Sequence, residues 1–157
     1  IFRQWTDDYQ DQVWSLGLYL LRDRAEAEDV AQEAFIRLWQ HRESLPGDRV
    51  RPWLLRVTRN LCLDRLRKRR PEVEVEDQHA VADGPAEGLQ NSQLAARLRD
   101  ALARLAEPYR SLVILRDVQQ SSYEDVAQAT GLSMPQVKTY LHRARKQLRQ
   151  QLAELRP

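Results

Sequence analysis

Ser122-Tyr123-Glu124-Asp125-Val126-Ala127-Gln128-Ala129-Thr130-Gly131-Leu132-Ser133-Met134-Pro135-Gln136-Val137-Lys138-Thr139-Tyr140-Leu141-His142-Arg143-Ala144-Arg145 is the stretch that decides how this chain folds. Ser122 followed three residues on by Asp125 reads as a capping box, so a helix opens there. Val126 and Ala127 give that short helix a buried face. Gly131 stands where a helix end needs a left-handed residue. Ser133 with Gln136 forms a second capping box, and Pro135 fits the first turn of the helix it opens. Val137, Leu141, Ala144 and Leu148 fall on one face of this second helix. A short helix, a tight turn with glycine and a longer basic helix make a helix-turn-helix. Such a helix lies in the DNA major groove with its N-terminal half near base edges. Gln136, Lys138, Thr139, His142 and Arg143 lie off the apolar face there. Arg145, Lys146 and Arg149 come later and suit phosphates, which add affinity more than specificity. His142 suits a base edge or the backbone equally.

Working outward, the remaining chain is also helical in period. Leu94, Leu98, Leu102 and Leu105 form one stripe; Pro108 suits a first helical turn, and Leu112, Val113, Leu115 and Val118 continue an apolar face. Nearer the N-terminus, Trp5, Tyr9, Val13, Leu16 and Leu20 share a face. Asp23 with Glu26 opens a second helix that turns Val30, Ala34 and Leu38 inward, with Phe35 and Trp39 beside them. Leu45-Pro46-Gly47-Asp48 is a loop. A third helix is expected from about Arg51 to Arg69, with Leu54, Val57, Leu61 and Leu66 facing a core. Pro71 to Gly88 is acidic and holds Pro71, Gly84, Pro85 and Gly88, which reads as a flexible linker. The fold class expected is all-α: two small helical domains, 1–70 and 91–157, joined by a linker at 71–90.

The 157 residues carry a net charge of only +2, but that charge is unevenly spread. Arg51, Arg56, Arg59, Arg65, Arg67, Lys68, Arg69 and Arg70 face a single acid, Asp64. Glu72, Glu74, Glu76, Asp77, Asp83 and Glu87 follow without a Lys or Arg between them. Gln136 to Arg149 is basic again. Two cationic blocks around an acidic stretch suggest two polyanion-facing surfaces. Glu26, Glu28, Asp29 and Glu33 make an acidic surface early in the second helix; on composition alone they suit the positive end of the helix dipole. Cys62 is alone, lies in an apolar pattern and reads as a buried reduced thiol. No apolar run approaches the ~18 residues of a membrane helix, and no signal peptide is visible. The chain opens on Ile1 rather than Met, so a short preceding piece is expected. A Gly-rich phosphate loop, a metal-ligand cluster and a nucleophile–base pair are all missing from the pattern, so neither an enzyme nor a cofactor is expected.

Three motifs carry a family resemblance. Ala27-Glu-Asp-Val-Ala-Gln-Glu-Ala-Phe35 with Leu38-Trp39 resembles region 2.2 of sigma-70 proteins. Arg51-Pro-Trp-Leu-Leu-Arg-Val-Thr-Arg-Asn60, with Leu61-Cys-Leu-Asp-Arg-Leu-Arg67, resembles regions 2.3 and 2.4. Leu105-Ala-Glu-Pro-Tyr-Arg-Ser-Leu112, Tyr123-Glu-Asp-Val-Ala127 and Val137-Lys-Thr-Tyr-Leu-His-Arg-Ala-Arg145 resemble region 4. The order and spacing cover nearly the whole chain, and the lack of a middle domain is similar to the extracytoplasmic-function (ECF) group. Thr139-Tyr140 stands where Ser-Arg is common, and Met134-Pro135 replaces a frequent Glu-Gly.

The resemblance implies a cytoplasmic sigma factor, sigma domain 2 followed by sigma domain 4, that docks on core RNA polymerase and directs it to promoter DNA. It implies contact of Glu28, Asp29, Gln32 and Glu33 with the beta-prime clamp helices, supported by Phe35 and Trp39, and contact of the second domain with the beta flap. It implies −10 recognition by Arg49, Arg56, Arg59 and Asn60 with the Leu45–Arg49 loop. Arg65, Arg67 and Lys68, in the run Arg65–Arg70, would hold phosphates; the alternative for that run is a solvated helix end helped by the dipole. Trp53 fits a core position or a base-stacking one. Lys138, Thr139, His142 and Arg143 would read the −35 element, with Arg143 as the candidate for a bidentate guanine contact. An anti-sigma factor is an expected partner. A helix-turn-helix regulator that acts without polymerase is the alternative.

Overall fold

The structure is a computed structural model that describes residues 1–69 and 89–154. Helix α1 spans Phe2–Leu21 and buries Trp5, Val13, Leu16 and Leu20, while Tyr9 is half-buried. Arg22 ends it in a left-handed conformation (φ 56°). Asp23 then accepts a hydrogen bond from the Glu26 amide and opens α2, Arg24–His41. Gly17 lies where the two helices cross; a Cβ there would meet Ala27 Cβ at 3.4 Å. A small residue on each side therefore sets how closely α1 and α2 approach. A 3₁₀ turn, Gly47–Arg49, leads into α3, Val50–Lys68.

The second module holds α4 (Leu89–Ala103), the short α5 (Tyr109–Val113), a π-helical turn at Ile114–Val118, α6 (Tyr123–Thr130) and α7 (Met134–Glu154). The Glu107–Pro108 peptide before α5 is cis. Ser111 through Leu115 are consecutively buried. A helical segment apolar and enclosed on every side is a central core element, and the others pack around it. Leu102 and Leu105 are buried, Leu98 is half-buried, and Leu94 stands 58% exposed, outside the stripe expected of it. Most of the expected 71–90 linker lies outside the described residues; α4 already includes 89 and 90.

The modules pack against each other. Val50 and Leu54 of α3 join a core with Trp5, Val13, Ala34 and Leu38. Leu55 and Cys62 join a second core shared with Leu102, Leu112, Val126, Val137 and Leu141 of the other module. Helix α3 thus has two buried faces. Consequently Val57, Leu61 and Leu66, expected as core residues, are only half-buried, while Leu55, Thr58 and Arg59 are buried. Thr58 satisfies its hydroxyl by donating to the Leu54 carbonyl at 2.7 Å. Burial pushes the Cys62 thiol up to about 12, so it is a protonated core group.

Candidate nucleic-acid and polymerase interfaces

The clearest site geometry is local to α6 and α7. Ser122 Oγ accepts from the Asp125 amide at 3.0 Å and fixes the start of α6. Gly131, at φ 77°, returns its N–H to the Ala127 carbonyl and ends it. The box at α7 closes in both directions: Gln136 N donates to Ser133 Oγ at 3.2 Å, and Ser133 N donates to Gln136 Oε1 at 2.9 Å. Val137, Leu141 and Ala144 point inward. Gln136, Lys138, Thr139, His142, Arg143 and Lys146 are all exposed, on the face away from that core. Arg143 leans over the Tyr140 ring, 5.6 Å from its centroid, and Lys138 over Tyr123 at 5.9 Å.

Two of the expected DNA-facing side chains have other partners. Gln136 uses its carbonyl oxygen to cap its own helix. Arg145 makes a two-pronged ion pair with Asp117, at 2.9 and 2.7 Å. That pairing raises the affinity of Arg145 for its proton. Asp117 sits on the π turn, and sequence spacing alone does not bring it to Arg145. Arg116, beside it, donates to the Ser121 carbonyl and covers the Tyr123 ring at 4.3 Å.

In the first module, Glu28, Asp29 and Gln32 stand exposed on one side of α2, and Glu33 is half-exposed in an ion pair with Arg37 at 3.0 Å. Trp39 is 48% exposed rather than packed behind the helix; the Phe2 ring meets it edge-on and the Arg42 guanidinium lies 3.6 Å above it. Ile36, unremarked in the sequence, is 51% exposed beside it. A groove of about 470 Å³ runs between α1 and α2, lined by Phe2, Trp14, Glu28, Gln32 and Phe35. The signal for this surface is the 28/29/32/36/39 spacing on the outer side of α2.

The third group gathers around the start of α3. Leu45, Pro46, Arg49, Pro52, Trp53 and Arg56 line a cavity of about 350 Å³, with Gln128 of α6 at its wall. Trp53 is half-buried, with its ring 5.3 Å from that of His41. Arg49, Arg56 and Asn60 are exposed. Arg59 is not: only 8% exposed, it donates through Nε to Ser111 Oγ at 2.8 Å and lies 3.4 Å from Glu107 Oε1. In this arrangement the second module has taken its guanidinium. The cations at the end of α3 also have acidic neighbours. Arg65 approaches Glu26 and Asp29 at 3.8 and 3.9 Å, and Arg69 pairs with Glu26. Arg67 and Lys68 both bond Asp64, holding its carboxyl below the usual carboxylate range. The Asp64 pairs are solvent-exposed, whereas Glu26 is half-buried under Arg65 and Arg69.

No group of three or more potential metal ligands occurs among the described residues, and no helix there is long and apolar enough to cross a membrane. Residues 6–72 match the sigma-70 region 2 family model and 95–148 the sigma-70 region 4 model. The chain is 31% identical to the ECF RNA polymerase sigma factor SigW of Bacillus subtilis, over 98% of this chain and 90% of SigW. It is 34% identical to SigL of Mycobacterium tuberculosis, over 99% of this chain and 90% of SigL. Among solved structures, the sigma factor RpoE of Bartonella quintana, in complex with the anti-sigma factor NepR, superimposes with a TM-score of 0.76 at 27% identity, over 99% of this chain and 98% of RpoE. A region 2 match on the same chain removes the ground for a helix-turn-helix regulator that works apart from polymerase. With both sigma modules present in order and nearly whole-length relatives of one kind, this chain belongs to the sigma-70 family as an ECF RNA polymerase sigma factor.

Proposed function

We propose that the chain joins core RNA polymerase through α2 and reads a promoter at two elements. Glu28, Asp29, Gln32 and Glu33 meet the beta-prime clamp helices, with Trp39 adding an apolar contact. Arg49, Trp53, Arg56, Asn60 and, once freed, Arg59 serve the −10 element, with Arg65, Arg67 and Lys68 on phosphates. Lys138, Thr139, His142 and Arg143 read −35 bases, while Gln136, Arg145 and Lys146 serve that helix and its backbone contacts. The working units are 1–70 and 91–157 around the 71–90 linker, and the second contacts the beta flap. The protein acts in the cytoplasm, without catalysis of its own. RpoE was solved with an anti-sigma factor bound, which supports a similar partner here.

The observation that carries this reading is the helix α7 with its reciprocal N-terminal capping box, whose Lys138, Arg143, Lys146 and Arg149 lie exposed. Rigid capping fixes the helix before DNA arrives, so less ordering is lost on binding. Transcription from a promoter pool by core polymerase plus this chain tests it. Initiation should depend on the chain, and Glu28→Lys with Asp29→Lys should abolish core capture while leaving far-UV circular dichroism unchanged. Unchanged core affinity in that double variant would remove the clamp assignment. Asp29 is 61% exposed and 3.9 Å from Arg65, so folding loses little when it is replaced.

A further inference from the structure

We propose that Tyr140 is a positioning residue for base reading: braced by Tyr109, its ring carries the Arg143 guanidinium and sharpens the preference that Arg143 gives at one −35 position. The inference rests on the reading of Arg143 as a base contact and adds the residue that aims it.

The contacts run from the core of the second module to its surface. Leu112, Ile114 and Leu115 are buried at its centre. At the start of α5, Arg110 ties the chain back to the segment after α4. Its Nε and Nη2 donate to the Leu105 carbonyl at 3.1 and 3.0 Å, and Nη2 also donates to the Ala103 carbonyl at 3.1 Å. Tyr109, the first residue of α5, is fixed beside it. Its ring meets that of Tyr140 edge-on, with centroids 6.0 Å apart and planes at 85°, a geometry that aromatic pairs favour. Both rings are half-buried and pack against the cluster that holds Leu112 and Leu141. Residues three apart on a helix are neighbours. The Arg143 guanidinium carbon accordingly lies 5.6 Å from the Tyr140 centroid, within reach of a cation–π attraction.

A ring suits this task better than an acid does. The rotamer freedom of an arginine opposes its being fixed on a base edge. A carboxylate fixes the side chain but occupies its donors: Arg145, two residues on, gives Nε and Nη2 to Asp117 at 2.9 and 2.7 Å. A ring attracts the guanidinium and takes none of its five N–H groups. Arg143 is therefore held and still exposed. The identity of residue 140 matters as well. Where the family pattern commonly has Ser-Arg, this chain has Thr139-Tyr140. An arginine at 140 would repel Arg143 one turn on, so the shelf belongs to this chain rather than to the pattern.

The test reads base preference position by position. A promoter that the wild-type holoenzyme selects from a random pool is remade with every −35 base varied and a transcribed barcode for each version. Core polymerase with each full-length variant then transcribes the set. Arg143→Ala should flatten the preference at one position. Tyr140→Leu should lower that same preference about two- to fivefold, the size of an exposed cation–π contact, and leave the other positions unchanged. In the Arg143→Ala background it should add nothing there. Tyr140→Phe keeps the ring and should keep the wild-type profile. An unchanged profile in Tyr140→Leu overturns the proposal. So does an equal loss at every position, which marks a merely structural role. So does a loss in Tyr140→Phe as large as in Tyr140→Leu, which makes the hydroxyl the contact. Should Tyr140→Leu fail to fold, Tyr109→Leu decides, because it removes the brace and leaves α7 intact: a smaller loss at the same position supports the shelf, and no loss there overturns it. If Arg143→Ala flattens no position, the base-reading role itself fails and takes the shelf with it; if the wild-type holoenzyme selects no promoter, the sigma reading fails. The three failures are distinct.

Discussion

Arg143 and Arg145 sit two positions apart on α7 and meet opposite surroundings. Arg143 is exposed, so its five donors remain available to a base edge. Arg143→Ala should cost about 1–3 kcal/mol of discrimination at one −35 position; equal losses on matched and scrambled duplexes would refute base reading. Arg145 is held by Asp117. Asp117→Asn should release it to phosphate and steepen the salt dependence of duplex binding by about one counterion; an unchanged slope in a salt titration would show that the freed Arg145 gains no phosphate. Cys62 makes a different prediction. Its thiol is raised from 9.0 to about 12 by burial. The unfolded thiol therefore ionises first, and the stability it contributes is full below about pH 9 and lost as pH rises towards 12. Alkaline denaturation followed by circular dichroism should fall more steeply with pH for the wild type than for Cys62→Ala. Parallel curves would show that the thiol is not shielded.

At the scale of elements, the turn between α6 and α7 rests on a few local choices. Gly131 has open space around its Cα, but its φ is 77°. Gly131→Ala should thus cost only the left-handed backbone penalty, about 1–2 kcal/mol, read as a lower melting temperature. Ser133→Ala should lose about 1 kcal/mol through the cap. Capping residues act within four positions of themselves, which is why α6, α7 and the start of α2 were legible in the sequence. Helix α3 was legible in extent and only half legible in burial. Its Val50–Leu54 side obeys the apolar period of one core, while the side holding Leu55, Thr58, Arg59 and Cys62 is buried by a partner over forty residues away in sequence. Thr58 and Arg59 look like surface residues, and only the distant Ser111 and Glu107 make Arg59 a buried one. The outward position of Trp39 was hidden for the opposite reason: an aromatic next to an apolar stripe looks like core until the neighbouring helices are in place.

Across the whole molecule, the two modules share one apolar cluster, from Leu16 and Leu55 on one side to Leu112 and Leu141 on the other. The order of the modules could be read from motif. Their mutual packing could not, because it depends on shape across a seam whose polar members, Gln12, Gln119 and Ser121, carry no periodic signal. The five-residue wide turn at Ile114–Val118 has a consequence of its own. A π turn holds one residue more than the α-helical path it replaces. Deleting a single residue there should let the segment relax to ordinary helical winding while the chain after it keeps its path, whereas the same deletion in a regular α-helix would turn everything beyond it by ~100°. Only side chains inside the coil, Asp117 among them, would change their facing, so the wide turn acts as a spare link: it can give up a residue at the cost of the Arg145 pair and still leave α7 where it lies.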